Sequence, residues 1–406
     1  MNNCPFVKKF FRVCVLSICL FPATFFFYKT WKEWFTAILR GREFFYIIED
    51  NINEIINDIR KQSYGCRFFV GLPLRLARKI LLSGCFRAVS SSLGFKPRFK
   101  RLSPGVIELI PGLLQDRPQA RQQAFRLLKA FPQKKVSITG KAHCILGKDI
   151  SFEGRKVVVI AHWDPDRVID HYVIYQCRHF KTLGFDILLT SAGRPEHLDA
   201  VACRDFVDAI VYRSCDGYDF TSWKAAFELF PSLYRSRELV LTNDSYFAPI
   251  GSFASVHSVM NEIPCDFWGL VGCNLIRPHL QSYYLVLHQS VLQHQSLKDF
   301  FDRIALSKDR DVAILYETSF SLWLAVHHFY PAAFVPVSTD FSLNYTFEYW
   351  KELIHTGVPI LKREFFLKKE YHHKILQWRT ECSHKGYPVK LIDDYLERRG
   401  IDMEIL

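Results

Sequence analysis

The stretch LTNDSYFAPIG, residues 241–251, closes an apolar run in a carboxylate set between small polar residues, Asn243-Asp244-Ser245. Two kinds of chemistry suit such a stretch. Asn, Asp and Ser after a strand make turns and cap helices. At the carboxyl end of a strand in an open α/β sheet, the same residues also stand where ligands bind. An exposed carboxylate there can hold a divalent metal, Mg or Mn, against a phosphate. Three further polar groups are expected at strand ends. They are AHWDPDR (His162, Asp164, Asp166, Arg167), YRSCDGYDFTSWK (Arg213, Asp216, Asp219, Lys224), and the pair CDFWGL and PHLQSYYLV (Asp266, Trp268, His279, Gln281). Each has an ordinary structural reading: Asp164-Pro165-Asp166 as a turn, Trp223 and Trp268 as core, His279 as a strand cap.

The elements that would position these groups are legible from residue 155 onward. RKVVVIAH, FDILLTS, DAIVYRS and ELVLT are short apolar runs that end in polar or small residues. Helical stretches such as HYVIYQCRHFKTLG separate them, which is the pattern of βαβ units and a mostly parallel sheet. Further helices are expected over 298–303, 314–329, 345–380 and 389–399. The expected division is 1–150 as a helical, basic, membrane-associating region, 151–365 as an α/β domain, and 366–406 as a helical extension.

The chain has 406 residues and a formal net charge of +12, with 36 Phe. The basic excess gathers between residues 60 and 135, so part of the surface is expected to face a polyanion. The twelve cysteines contain no CxxC or zinc spacing and suit reduced, mostly buried thiols. Val13–Tyr28 is an uncharged apolar run; as a helix it is about 24 Å long, short of the roughly 30 Å hydrocarbon core. Residues 67–101 mix apolar residues with arginine and lysine, as a basic amphipathic helix on anionic headgroups would. The expected location is the cytoplasmic face of the inner membrane, peripheral or anchored by the amino terminus. An anionic membrane surface is an expected partner and nucleic acid is not.

Two enzyme classes compete for the strand-end groups. An aspartate-nucleophile phosphatase of the haloacid dehalogenase type needs an Asp-x-Asp after its first strand, and Asp164-Pro165-Asp166 imitates it. A sugar-nucleotide transferase needs a carboxylate after a central strand and a second carboxylate to take a proton from the acceptor. A third reading is a non-catalytic glycan-binding protein on a decayed transferase fold.

VVVIAHWDPD, Arg213 with GYDFTSWK, LVLTNDSYFAPIG, DFWGL, HLQSYYLV and ILYETSFSLWL follow one another over residues 155 to 365. In order and spacing they resemble the rhamnan synthesis protein F family of glycosyltransferases. That resemblance implies a single Rossmann-like, GT-A-like domain acting on a nucleotide-sugar donor such as dTDP-rhamnose and a lipid-linked glycan acceptor. It implies Asp244 as the metal residue, where such enzymes carry Asp-x-Asp. His162, Asp164, Arg213, Asp216, Asp219, Lys224, Asn243, Ser245, Lys362 and Arg363 are then donor contacts, and Trp268, His279 and Gln281 acceptor contacts. Glu317, at the expected head of a helix, is the first candidate base, and Asp266, on an expected Asp-Phe-Trp-Gly turn, the second. The chain departs from the pattern at Asn243-Asp244-Ser245, which keeps a single carboxylate, and at Cys215, where Asn is common.

Overall fold

Val157, Val159 and Ala161 pack with one set of buried side chains, and Val158 and Ile160 pack with another. This alternation is what a strand covered on both faces requires. In the computed structural model, which describes residues 103–196, 203–336 and 344–401, that strand is the middle of a ten-stranded mixed sheet. All described residues belong to one unit, Phe99–Leu406. The apolar run Val13–Tyr28 and the basic segment 67–101 lie outside the described residues. Among the described residues, no helix is long and apolar enough to cross a membrane.

The strands are β1 (Gly105–Val106), β2 (Ala142–Leu146), β3 (Lys156–His162), β4 (Asp186–Ser191), β5 (Ala209–Arg213), β6 (Glu238–Asn243), β7 (Tyr246–Phe247), β8 (Phe267–Cys273), β9 (His279–Leu280), β10 (Tyr284–His288), β11 (Pro331–Val335) and β12 (Leu361–Lys362). They run in the order β1-β11-β8-β10-β6-β3-β4-β5-β2, with β9 on β8 and β12 paired to β7. The block β6-β3-β4-β5 is parallel, as the four apolar runs predict. β10 is inserted antiparallel between β6 and β8, and β8 and β11 are again parallel.

From β3 the chain moves outward through β4 and β5, then returns to add β6 on the other side of β3. The strand order reverses there, and an open α/β sheet has its crevice beyond the carboxyl ends of the strands at such a point.

Helices cover both faces. On one face lie α2 (His171–Thr182), α4 (Phe253–Met260) and α7 (Lys390–Arg398). On the other lie α3 (Asp219–Leu229), α5 (Gln295–Asp302) and α6 (Arg310–Ala325). A further helix, α1 (Pro118–Leu128), packs Ala120, Ala124 and Leu128 on α6. The expected helical run 345–380 is broken into short helices by β12, because Gly357 takes a left-handed turn and Val358-Pro359-Ile360 cannot continue a helix.

The carboxyl-terminal helix α7 ties down the loop after β3. The Arg398 guanidinium donates to Asp164 Oδ2 at 2.6 Å, Asp166 Oδ2 at 3.0 Å and Asp170 Oδ2 at 2.6 Å. Arg399 adds a contact of 3.5 Å to Asp164. Removing one partner of a buried pair leaves an uncompensated charge, which costs about 3 kcal/mol or more. Arg398→Ala is therefore expected to lower the unfolding free energy by about 3 kcal/mol in urea titrations. Adding Asp170→Asn should recover part of that loss; an unchanged midpoint in the single variant would detach α7 from the loop's stability.

Candidate functional site

β6 hands the chain to the site. The Asp244 N–H donates to Ala161 O at 3.1 Å, so the parallel ladder with β3 runs one residue past the strand. This brings Asp244 beside the end of β3, where the Trp163 N–H donates to its Oδ2 at 3.2 Å. The Tyr172 hydroxyl donates to its main-chain oxygen at 3.0 Å. Asp244 is expected to be exposed, and it is buried. Its burial is possible because Arg363 Nη2 lies 3.4 Å from Oδ1.

The cations arrive through a small ladder. β12 pairs antiparallel with β7, setting Lys362 opposite Tyr246, and the Arg363 N–H donates to Ser245 O at 3.0 Å. Lys362 Nζ donates to Ser245 Oγ at 2.6 Å and stands over the Tyr283 ring. Burial pushes the Lys362 ammonium down to about 8, against the opposing pull of Glu364, Glu317 and Asp219. Burial would also lower the Arg363 guanidinium, but Asp244 and the hydroxyls of Tyr172 and Tyr395 more than offset it, and the net shift is upward.

Asn243 organises the acidic side. Its Oδ1 accepts from Ser245 N–H at 3.1 Å and Ser245 Oγ at 2.6 Å, and its Nδ2 donates to Asp219 Oδ2 at 2.6 Å. A carboxylate at 243 has no N–H to give Asp219, which accounts for the departure from Asp-x-Asp. Burial raises Asp219 to about 6; the Asn243 bond opposes this and Asp244 reinforces it.

Glu317 also reaches this cluster, since its charge bears on both Asp219 and Lys362. Ser282 N–H and Ser282 Oγ both donate to Glu317 Oε1 at 2.9 Å. The residue sits two turns inside α6 and not at its head, so the helix dipole does not account for it. Asp219, Ser245, Glu317 and Lys362 each keep some exposure above the buried Asn243, Asp244 and Arg363.

Other expected residues have different placements. Arg213 is buried and ties down its own loop, donating to Ser222 Oγ at 2.9 Å, Gly217 O at 2.7 Å and the Cys215 carbonyl. Its contribution is to fix the turn that starts α3 at Asp219. Gly217 in that turn has φ +140°, and a Cβ there would stand 2.1 Å from Thr221 Oγ1. His162 is buried, 3.0 Å from Ser191 Oγ and 4.0 Å from Asp244 Oδ2, and thus lies under the cluster. Asp164 is held by Arg398, and Asp216 is exposed beside Lys308 at 3.4 Å.

Lys224 points away from the cluster: its Nζ donates to Phe301 O at 2.8 Å and joins α3 to α5. Trp268 is a core residue against His257 and Tyr284. Asp266-Phe267-Trp268-Gly269 is no turn but the entry to β8. Asp266 lies at the amino end of the parallel strands, where the neighbouring His288 faces Glu238, and it accepts from Ser290 Oγ at 2.7 Å and Tyr330 N–H at 2.9 Å. The structure does not bring it to Asp244. His279 lies 2.7 Å from Arg277 O, and Gln281 donates to Asn344 Oδ1 at 2.9 Å, fixing the chain at 344–346.

The expected metal residue, Asp244, is buried and paired with Arg363, so it is not a free ligand as it stands. Among the described residues no group of three His, Cys, Asp or Glu could hold an ion.

Because Asp219 holds its proton up to about pH 6 when folded, against 3.8 in its ordinary state, the folded chain binds the extra proton in that window. Its contribution to stability then falls as pH rises from about 4 to about 6 and is flat above. The stability difference between wild type and Asp219→Asn, from urea titrations at several pH values, should move in favour of the variant across that window. A pH-independent difference would mean Asp219 titrates normally.

The family model described as rhamnan synthesis protein F matches residues 187–403, just over half of the chain. No curated protein matches the sequence. Among solved structures, the crystal structure of S. aureus TarS 1-349 is similar at 8% identity and a TM-score of 0.28. The likeness covers 49% of this chain and 63% of that one, so the chain spans less than two thirds of its length.

Proposed function

This chain belongs to the rhamnan synthesis protein F family, and from that membership we propose that it is a glycosyltransferase. In this reading it moves a sugar, rhamnose from a dTDP-rhamnose-like donor, onto a growing lipid-linked cell-surface polysaccharide at the cytoplasmic membrane face. The observation that carries the reading is the meeting of Asp219, Asn243, Asp244, Ser245, Glu317, Lys362 and Arg363 beyond the carboxyl ends of β3 and β6, where the strand order reverses.

Each residue then has a role that its chemistry supports. Lys362, partly exposed and already donating to Ser245 Oγ, turns a further N–H toward the donor diphosphate. Arg363 neutralises Asp244 and keeps the floor of the site from repelling an anion. Asp219 accepts from a sugar or ribose hydroxyl. Glu317 is oriented by Ser282 through Oε1, which leaves Oε2 to take the proton of the acceptor hydroxyl. As that proton moves, the acceptor oxygen bonds to the anomeric carbon, and the bond from that carbon to the diphosphate oxygen breaks with its electron pair leaving on the diphosphate. This GT-A-like scheme has no step that runs through a metal.

The phosphatase reading requires Asp164 as a free nucleophile. Both of its oxygens are engaged, Oδ2 by Arg398 at 2.6 Å and Oδ1 by the Asp166 N–H at 2.9 Å, which argues against it.

The test is donor turnover by purified protein in the presence of a rhamnan-type acceptor, in chelator and with Mn. Glu317→Gln should cut transfer by roughly 100-fold or more while barely changing donor affinity. Asp244→Ala should abolish transfer. Near-normal transfer by Glu317→Gln would remove it as the base, and no turnover of any sugar nucleotide by the wild type would favour the non-catalytic glycan-binding alternative.

A further inference from the structure

An indole stands open to solvent beside the most deeply buried part of this sheet. Trp163 is 57% exposed, whereas Trp223, Trp268 and Trp378 are fully buried. Both of its neighbours are fixed: His162 lies between Ser191 Oγ and the Val168 carbonyl, and Asp164 is held by Arg398. The Trp163 N–H itself donates to Asp244 Oδ2. The ring is therefore carried by a backbone with little freedom, one whose own N–H is bonded to a carboxylate of the site.

The other end of the polar row repeats the arrangement. Tyr218 is 43% exposed and immediately precedes Asp219. Its hydroxyl donates to Lys308 O at 3.0 Å, and its loop is fastened by Arg213. Asp219, Asn243 and Asp244 form one linked row, with an exposed ring attached at each end. Single exposed apolar residues are ordinary. Two aromatic rings held open at the ends of one polar row, with Asp219 partly exposed above the buried Asn243 and Asp244, are better suited to a ligand that has flat apolar faces and hydroxyls.

We propose that Trp163 is the stacking platform of this site, taking the flat face of a ligand ring while Asp219 accepts from a ligand hydroxyl. The proposal rests on the transferase reading above. The ring is the heteroaromatic base of the nucleotide or the apolar face of an acceptor pyranose; the two share one chemistry, and the experiment separates them.

The experiment titrates the full chain with dTDP, with UDP and with a rhamnose oligosaccharide, read by calorimetry and by tryptophan fluorescence. Trp163→Ala should weaken binding of the stacked ligand by roughly 10- to 100-fold. Trp163→Phe, which keeps a ring, should stay within about threefold of wild type. Because the side chain is exposed, both variants should melt like wild type, which thermal unfolding checks. A loss confined to the nucleotides assigns the base to Trp163, and a loss confined to the oligosaccharide assigns the pyranose. Unchanged affinity of Trp163→Ala for all three overturns the platform while leaving the transferase reading in place. No binding of any of them to wild type overturns both.

Discussion

The site depends on one buried ion pair, Arg363 with Asp244. A carboxylate held out of water at the end of a strand is costly unless it is paired. The guanidinium lies against the rings of both Tyr172 and Tyr395, 5.5 and 5.4 Å from their centres, and donates to the Tyr172 hydroxyl. That hydroxyl donates in turn to the Asp244 carbonyl. The pair thus joins β6, α2, β12 and α7, which come from widely separated parts of the sequence. Tyr172 and Arg363, which orient polar atoms toward Asp244, also touch Tyr395 of the covering helix α7.

This coupling explains why the carboxyl-terminal segment is part of the site's architecture. Tyr395 of α7 meets Phe247 and Tyr172 edge-on, and three residues later Arg398 binds the three aspartates of the loop after β3. One helix face therefore supports both the cation paired with Asp244 and the loop that displays Trp163. A helix face can do both because residues three apart lie on the same side.

The sequence and the structure agree where the signal was local. The four parallel strands were legible because continuous β-branched runs suit strands covered on both faces and because each ends in polar residues. Asn243-Asp244-Ser245 and Asp219 were legible as candidates for the same reason, as polar residues at the ends of apolar runs, whereas Glu317 came only from the family resemblance. Direction was not legible. Asp266 and Asp244 both border apolar strands, but one precedes β8 and the other follows β6, and these strands run the same way through the antiparallel β10 between them. That carries the two carboxylates to opposite ends of the sheet. Lys224 was misjudged through helix phase: it lies five residues after Asp219 on α3, and Nζ turns to α5. β12 was hidden because two residues, Leu361 and Lys362, carry no periodicity.

The same physics accounts for the form of the motif. An Asp-x-Asp would put a further carboxylate within reach of Asp219 and Asp244, and such a group needs a shared proton or an added cation to be stable. Asn243 instead donates to Asp219 and accepts from Ser245, so the row is satisfied without one. The positive charge that the site needs is delivered by the backbone pairing of β12 with β7, which fixes Lys362 and Arg363 relative to Ser245 through main-chain bonds. Fixed cations and an amide in place of a carboxylate are therefore two halves of one solution: reducing the negative charge at position 243 is what lets covalently attached cations balance the rest.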